Sequence, residues 1–175
     1  MENKNWYIEY ATGSISNRNQ LCKINEFAEI AKNNIGKEIY RSMFLYDETI
    51  VDFVSKNQTV VGFNGVQSID KLVVDVDYII NDNELGNQTR KKVMDVVDVM
   101  EKLTIDPTHY NLWFSGKGFH IHLANVYEFK DSNQIAKQVR ATMQRDFGEH
   151  IDLIYDSRRL IRAGFSLKFL FLLKS

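Results

Sequence analysis

The sequence has one cysteine, one proline and no excess of charge of either sign. Of its 175 residues, 22 are Lys or Arg and 23 are Asp or Glu, which gives a formal net charge of −1. Bulk attraction to nucleic acid is therefore not expected, and binding of that kind would have to come from local clusters of cations. With Cys22 alone, the chain can form neither an internal disulfide nor a cysteine-based zinc site, so no zinc is expected in it.

Long apolar segments are absent as well. The longest uninterrupted apolar run, residues 169–173, is far shorter than the roughly 20 residues that a membrane-spanning helix needs. The first six residues carry no apolar segment of the kind found in signal peptides. We therefore expect an intracellular, cytoplasmic protein that makes no contact with a membrane.

Hydrophobic periodicity predicts a first, small αβ lobe over residues 1–68. The length suits one domain or one compact body with two lobes, and the hydrophobic and charged fractions of 44% and 26% are those of an ordinary globular chain. The expected elements are a strand at 6–10, a helix over 19–33 followed by Gly36, a strand at 39–46, a short helix to residue 55 capped by Asp47, and a strand at 59–63.

Residues 69–175 are predicted to form a second lobe with the element order β-α-β-β-α-β. The expected elements are a strand at 71–80, an amphipathic helix at 89–103, a hairpin of strands at 110–114 and 119–125, a helix at 132–147 capped by Ser132 and stopped by Gly148, and an extended region at 151–173. This order is typical of an α+β fold like that of RNA-recognition motifs, in which both helices cover one face of the sheet and the other face stays open.

Acids and imidazoles are predicted to meet on that open face. Asp75 and Asp77 alternate with valines along one strand, so their side chains share a face at roughly 6.6–6.8 Å. Carboxylates so placed can converge on divalent cations roughly 3.5–4 Å apart. His120 and His122 alternate with apolar residues in the same way. Because the first and third strands of this topology are adjacent, we expect the two pairs side by side.

Two further segments carry groups that suit phosphate. The turn 115–118, Ser-Gly-Lys-Gly, combines permissive backbone with a hydroxyl and an ammonium group, and successive N–H groups in such turns bind anions. The later segment has one acid followed by spaced cations, a pattern that suits a metal-bound triphosphate. Its members are Asp152, Arg158, Arg159, Arg162, Ser166 and Lys168.

At these residues the chain resembles the archaeo-eukaryotic primase superfamily, specifically its primase-polymerase branch. That family is marked by two acids around one apolar residue in a strand, a Ser/Gly-rich turn leading to a histidine, and a third acid followed by arginines and a lysine. The matches are Asp75-Val76-Asp77, Ser115 to His120, and Asp152 with Arg159, Arg162, Ser166 and Lys168, in the family's order over about residues 70–170. In the first lobe only Tyr40-Arg41-Ser42 offers a faint match.

The resemblance implies a DNA primase or DNA polymerase that works in a bacterial, archaeal, phage or plasmid setting. Asp75, Asp77 and Asp152 would hold two Mg²⁺ or Mn²⁺ ions for nucleotidyl transfer to a 3′-hydroxyl with release of pyrophosphate. The remaining candidates would bind a dNTP or NTP and a single-stranded DNA template with its primer: Ser115, Gly116, Lys117, Gly118, His120, Arg159, Arg162 and Lys168, then His122, Arg158, Ser166 and Arg41. Asp156 competes with Asp152 as the third acid. No accessory module follows the match, so we expect initiation to need a C-terminal accessory domain or a partner protein.

Two other functions remain open at the level of sequence. The His-hydrophobic-His run of His120 and His122 is also the motif of rolling-circle replication endonucleases, which need a tyrosine nucleophile on a nearby helix. The predicted helix at 132–147 contains no tyrosine, which counts against that function. A non-catalytic RNA-recognition-type module is the other alternative, but such modules place aromatic side chains rather than carboxylates on the open strands.

Overall fold

The computed structural model describes residues 5–77, 87–114, 118–124 and 126–163. Over these residues the protein is α+β, with two antiparallel sheets and four α-helices. The strands are β1 (Tyr7–Thr12), β2 (Gln20–Lys23), β3 (Ile39–Ser42), β4 (Leu45–Tyr46), β5 (Gln67–Ser68), β6 (Leu72–Asp77), β7 (Tyr110–Phe114), β8 (Gly118–Leu123) and β9 (Leu160–Arg162). The helices are α1 (Phe27–Asn33), α2 (Thr49–Asn57), α3 (Asn87–Lys102) and α4 (Ile135–Phe147). None of these helices combines the length and apolar character needed to cross a bilayer.

The chain divides into two compact units. Described residues within Met1–Ile69, Lys130–Ile135 and Ser157–Ser175 form the first unit, and those within Asp70–Phe129 and Ala136–Asp156 form the second. The sequence-based division between 68 and 69 lies next to the first of these boundaries. Residues 157–163, however, group with the first unit, whereas the sequence analysis placed them in the second.

The first unit is built on a sheet with the order β5-β4-β1-β3-β9, in which β2 also pairs with β1. Its core contains buried residues of several strands and of α1: Ile8, Cys22, Phe27, Ala31, Ile39 and Leu45. Glu9 on β1 is fully buried, and its carboxylate accepts hydrogen bonds from Arg18 Nε and Nη2 at 2.8 and 2.9 Å. A carboxylate buried this deeply needs such a paired cation to offset its lost hydration.

The predicted helix over 19–33 is wrong at its start. Asn19 has a φ of 66°, in the left-handed region, and its N–H donates to Glu9 at 2.8 Å. This turn reverses the chain, so Gln20–Lys23 pair with β1 as β2, with Ile8 opposite Cys22. The helix begins only at Phe27. The apolar residues at helical spacing therefore include Leu21, which lies in strand β2 and not in the helix.

The predicted strand at 59–63 is also wrong, since these residues form a turn in which Gly62 has a φ of 88°. Val60 is buried against Tyr46 and Ile50, whereas Val61 is 49% exposed. The strand of this region is β5, which pairs with β4. The predicted strand at 39–46 is present as two short strands, β3 and β4. The short helix is confirmed as α2.

The second unit contains a three-stranded antiparallel sheet with the order β6-β8-β7. The predicted helix at 89–103 is confirmed as α3, and the two hairpin strands are confirmed as β7 and β8. Helix α4 begins at Ile135 rather than at Ser132. Ser132 instead forms a bridge with Gln67, and its hydroxyl accepts from the Gln134 N–H at 3.3 Å. Of the predicted strand at 71–80, residues 78–80 lie outside the described residues.

Alternation along β6 and β8 divides the sheet into two faces. On one face Leu72, Val74, Val76, Ile121 and Leu123 are each at most 3% exposed, and α3 contacts β6. These strand residues form the core of the unit together with buried helix residues: Val96, Met100, Val139, Met143 and Phe147. The opposite face carries the polar residues of the predicted site. It was predicted to stay open, but Val73 on this face is fully buried and Asp75 is 8% exposed, so the face is covered along this part of β6.

The predicted extended region at 151–173 does not form a strand of this sheet over its described part. Only Asp152 pairs with β6, through an isolated antiparallel bridge to Asp75. Further on, Leu160–Arg162 pair with β3 in the first unit as β9, with Tyr40 opposite Arg162. The backbone of Met43 adds a hydrogen bond from its N–H to the carbonyl of Arg159 at 2.9 Å. Residues 164–173 lie outside the described residues.

Candidate functional site

Asp75 and His120 face each other across the central strand pair of the second unit. Their backbones are directly opposed in the β6–β8 register, and His120 Nε2 lies 3.3 Å from Asp75 Oδ1. Each side chain is only 12% exposed. The adjacency expected from alternation and strand order is therefore present. Because a covered carboxylate is costly without a compensating group, an imidazolium or a bound cation would stabilise Asp75 here.

Asp152 reaches Asp75 from the other side of β6. The Asp152 N–H donates to the carbonyl of Asp75 at 3.1 Å within the antiparallel bridge. Directly opposed residues of an antiparallel pair project their side chains from the same face. The bridge thus places two carboxylates, distant in the sequence, as neighbours on one surface. Asp156, the competing third acid, is exposed, and its N–H bonds to Ile154 rather than to β6.

The segment that carries Asp152 is fixed by two further contacts. The hydroxyl of Tyr155, which is 2% exposed, donates to the carbonyl of Val73 on β6 at 2.9 Å. Burial, with a further contribution from the charge of Asp75, raises the pKa of Tyr155 well above its ordinary value. Arg140 on α4 donates from Nη1 to the carbonyl of Leu153 at 3.4 Å. Tyr155 was not a sequence candidate, and in the structure it anchors the segment of the third acid.

Three rings, which we call the aromatic row, lie on the same sheet face as Asp75: His120 and His122 on β8, and Trp113 on β7. Trp113 on β7 is opposite His120 in the register, and its ring centroid lies 5.6 Å from that of His122. The His122 ring is stacked on His120 at 6.3 Å, with an interplanar angle of 24°. Trp113 was not a sequence candidate. The register of the predicted hairpin, counted from His120 back through the turn, would have placed Trp113 on the same face as His120.

For several predicted site residues, either the whole residue or its side chain lies outside the described part of the chain. The backbone of Asp77 is in β6, opposite Gly118, but its side chain is outside the described part of the chain. Five predicted residues lie outside the described part of the chain: Ser115, Gly116, Lys117, Ser166 and Lys168.

The predicted arginines are described in the first unit. Arg162 Nη2 donates to Glu38 at 2.7 Å, and its guanidinium lies over the Tyr40 ring at 5.7 Å. Arg41 is 6% exposed; its Nε donates to the carbonyl of Ser42 at 3.1 Å, and its guanidinium lies 6.0 Å from the Phe27 ring. Arg158 and Arg159 are exposed. The side chains of Arg41 and Arg162 are thus held by contacts within the first unit. Those of Arg158 and Arg159 mainly face solvent.

The donor set of the site fits a hard divalent cation. Carboxylate oxygens are the ligands that Mg²⁺ and Mn²⁺ prefer, and Asp75 and Asp152 supply two carboxylates on one face. Within the described residues, no three or more His, Cys, Asp or Glu side chains are grouped so that they could hold a metal ion. Asp75, His120 and Asp152 therefore do not form such a group by themselves, and Asp77, the third predicted ligand, has no described side chain.

Comparison with known proteins identified no relative of this chain. No family model matches the chain, and searches of curated proteins and of solved structures return no match.

Proposed function

We propose that the chain is the catalytic core of a template-directed nucleotidyltransferase of the primase-polymerase type. It would add nucleotides from dNTP or NTP to the 3′-hydroxyl of a primer on a single-stranded DNA template. The observation that carries the proposal is the meeting of Asp152 and His120 at Asp75, from opposite sides of one strand. Carboxylates brought together from distant positions, where repulsion disfavours them, are typical of a cation site.

The arrangement of the second unit supports the same proposal. Its elements β6, α3, β7, β8 and α4, followed by the bridge of Asp152, have the order of a split β-α-β unit. The strand order β6-β8-β7, with Asp152 on the free side of β6, agrees with an RNA-recognition-motif-like sheet in which Asp75 and His120 lie on the central strands. We propose this arrangement for the catalytic unit.

Each candidate residue then has a stated role. Asp75, Asp77 and Asp152 would hold two Mg²⁺ or Mn²⁺ ions, which when bound lower the pKa of the attacking hydroxyl and offset charge on the leaving pyrophosphate. The turn 115–118 would bind the triphosphate through its N–H groups and Lys117. Arg159, Arg162 and Lys168 would neutralise phosphates of the nucleotide or of the template and primer.

Primer extension by the full chain with matched acid variants tests the proposal. We expect Asp75→Asn and Asp152→Asn to reduce extension with Mg²⁺ or Mn²⁺ by at least roughly 10–100-fold, because each removes a charged metal ligand. Asp156→Asn and Asp98→Asn, which neutralise exposed acids of the same unit, should extend like the wild type. Thermal unfolding of each variant checks that the fold is retained. Extension near the wild-type level by a folded Asp75→Asn variant would refute the proposed function.

A further inference from the structure

His120 is held between a carboxylate and a stacked ring. Its Nε2 lies 3.3 Å from Asp75 Oδ1, and its ring plane lies 24° from that of His122. The His122 ring is in turn beside Trp113, at 5.6 Å between centroids. The two contacts constrain different properties of the imidazole, since the stack limits rotation of the ring and the carboxylate occupies the end of the side chain.

We propose that His120 is a positioning residue: it holds the carboxylate of Asp75 in the orientation that a divalent cation needs, and the other two rings of the aromatic row, His122 and Trp113, hold His120. This inference rests on the proposed function, and it gives His120 a different role from the triphosphate contact that the resemblance implies. The distance favours the positioning role, because Nε2 is the outermost nitrogen of the side chain and, among the described residues, the nearest charged group at that end is Asp75 Oδ1, 3.3 Å away.

Burial strengthens the argument. The side chains of Asp75 and His120 are each 12% exposed, so water can offer the carboxylate little stabilisation. Asp152 adds a second carboxylate on the same face through its bridge to Asp75, which increases repulsion before a cation binds. An imidazole beside Asp75 opposes both effects and restricts the carboxylate to fewer rotamers. Such partners of metal-binding carboxylates commonly change metal affinity roughly 10–100-fold when they are removed.

The row explains why the imidazole would keep one orientation. The terminal torsion of a histidine is broad and roughly two-fold, so an unsupported ring could turn Nε2 away from Asp75. Stacked and tilted aromatic neighbours favour one ring plane and so oppose this rotation. Trp113 and His122 lie on the same sheet face as His120 by register, so the sheet itself sets this packing.

Two substitutions of His120 distinguish the contribution of its nitrogen from that of its stacked ring. His120→Gln keeps an N–H donor at a reach similar to Nε2 but removes the stack, and His120→Phe keeps the ring but removes both nitrogens. Mn²⁺ binding to the full chain, without nucleotide, is measured by electron paramagnetic resonance at one fixed pH. We expect His120→Phe to weaken Mn²⁺ binding roughly 10–100-fold and His120→Gln to retain affinity within about fivefold of the wild type. His109→Phe, at an exposed histidine of the same unit, should not change it.

Nucleotide dependence provides the second readout. At saturating Mn²⁺, the KM for nucleotide should stay within about twofold of the wild type in both position-120 variants, because the triphosphate does not contact His120. A KM that rises selectively at saturating Mn²⁺ would overturn the positioning role and favour a triphosphate contact. Unchanged Mn²⁺ affinity in a folded His120→Phe variant would overturn it as well.

Asp75→Asn separates this inference from the proposed function. If Asp75→Asn loses Mn²⁺ affinity and His120→Phe does not, the metal site stands and only the role of His120 is wrong. If the wild type and Asp75→Asn bind Mn²⁺ equally, the proposed function and this inference both fail. Thermal unfolding of all four variants identifies any loss of affinity that comes from unfolding, and His120→Leu, which also lacks both nitrogens, supplies the test if the Phe variant does not fold.

Discussion

Tyr155 connects the segment of Asp152 to strand β6 through one hydroxyl. That hydroxyl donates to the carbonyl of Val73 at 2.9 Å, in surroundings where neither group can turn to water. Tyr155→Phe leaves the carbonyl without this donor, so we expect the free energy of unfolding to fall by about 1–2 kcal/mol. Urea unfolding measures the change. Tyr110→Phe, whose hydroxyl has no hydrogen-bond partner among the described residues, serves as the control and should stay within about 0.5 kcal/mol of the wild type.

Tyr155 should also make the free energy of unfolding depend on pH in the alkaline range. Burial raises the pKa of Tyr155 above its ordinary value of 10.0, so above that pH the unfolded chain loses a proton that the folded chain keeps. The neutral Tyr155 phenol contributes its full stabilisation at pH values below the pKa of tyrosine in the unfolded chain. This contribution is lost as the pH rises from that value towards the pKa of Tyr155 in the folded protein. Between about pH 9 and pH 11, Tyr155→Phe should therefore lose less stability than the wild type. An equal loss in both proteins would contradict this assignment.

Cys22 is predicted to be chemically inert in the folded protein. Burial, and secondarily the charge of Glu26, raises the pKa of its thiol from 9.0 to about 11. At pH 8 the thiolate fraction is then about a hundredfold lower than for an ordinary thiol, and the side chain is 6% exposed. Labelling with a disulfide-exchange reagent should be slow in buffer and complete in denaturant. Fast stoichiometric labelling of the native protein would exclude this environment for Cys22.

At the scale of the element, α2 depends on an acid that precedes it. Asp47 Oδ1 accepts from the Thr49 N–H at 3.0 Å and from the Thr49 hydroxyl, and Oδ2 accepts from the Val66 N–H at 2.7 Å. One carboxylate therefore fixes both the start of the helix and the segment that leads to β5.

Removing that carboxylate should destabilise the first unit. We expect Asp47→Ala to lower the free energy of unfolding by about 1–2 kcal/mol, because it leaves helix and loop N–H groups without their acceptor. Urea unfolding followed by circular dichroism measures this. Glu48→Ala is the matched control, because Glu48 makes no side-chain capping bond to α2. A loss of equal size in the control would show that helix charge, rather than the contacts of Asp47, is responsible.

Elements with a strong period could be predicted from the sequence. Polar and apolar residues alternate around Asp75 and around His120, and this pattern predicted strands β6 and β8. The strand order then predicted that Asp75 and His120 are neighbours. Helix α3 was predicted to within two residues at each end by its apolar period. In these segments the local pattern and the tertiary packing favour the same structure, so the pattern was sufficient.

Elements defined by distant partners could not be predicted. Strand β2 depends on the turn at Asn19 and on the carboxylate of Glu9, neither of which changes the hydrophobic period. Strand β9 was assigned to the wrong sheet, because three residues carry no sign of which free strand edge they will pair with. Trp113 and Tyr155 were not sequence candidates, because an aromatic residue in a predicted strand or loop is most simply interpreted as part of a core. Their roles became visible only with the register of β7 and the hydrogen bond to Val73.

At the scale of the whole molecule, the two units do not correspond to two consecutive stretches of chain. Strand β3 pairs with β9 near the end of the described residues, and Gln67 pairs with Ser132. The first unit therefore takes described residues from three segments, whereas everything in the second unit lies between residues 70 and 156.

Two fragments of the chain should consequently behave differently. We expect residues 70–156 to fold in isolation, with cooperative urea unfolding and a dispersed amide spectrum in nuclear magnetic resonance. Residues 1–69 alone lack β9, one of the two strands that pair with β3, and should show little dispersion and no cooperative transition. A well-dispersed spectrum of the 1–69 fragment would show that β9 is dispensable for the first unit.

The path of the chain crosses between the units at four points, after Ile69, Phe129, Ile135 and Asp156. A protease nick after Ile69 would yield two pieces that are no longer covalently joined, yet the larger piece would still carry the strand that completes the smaller one. The pieces should therefore co-migrate in gel filtration until denaturant is added. Expressed separately, they would be natural halves for a split-protein complementation reporter.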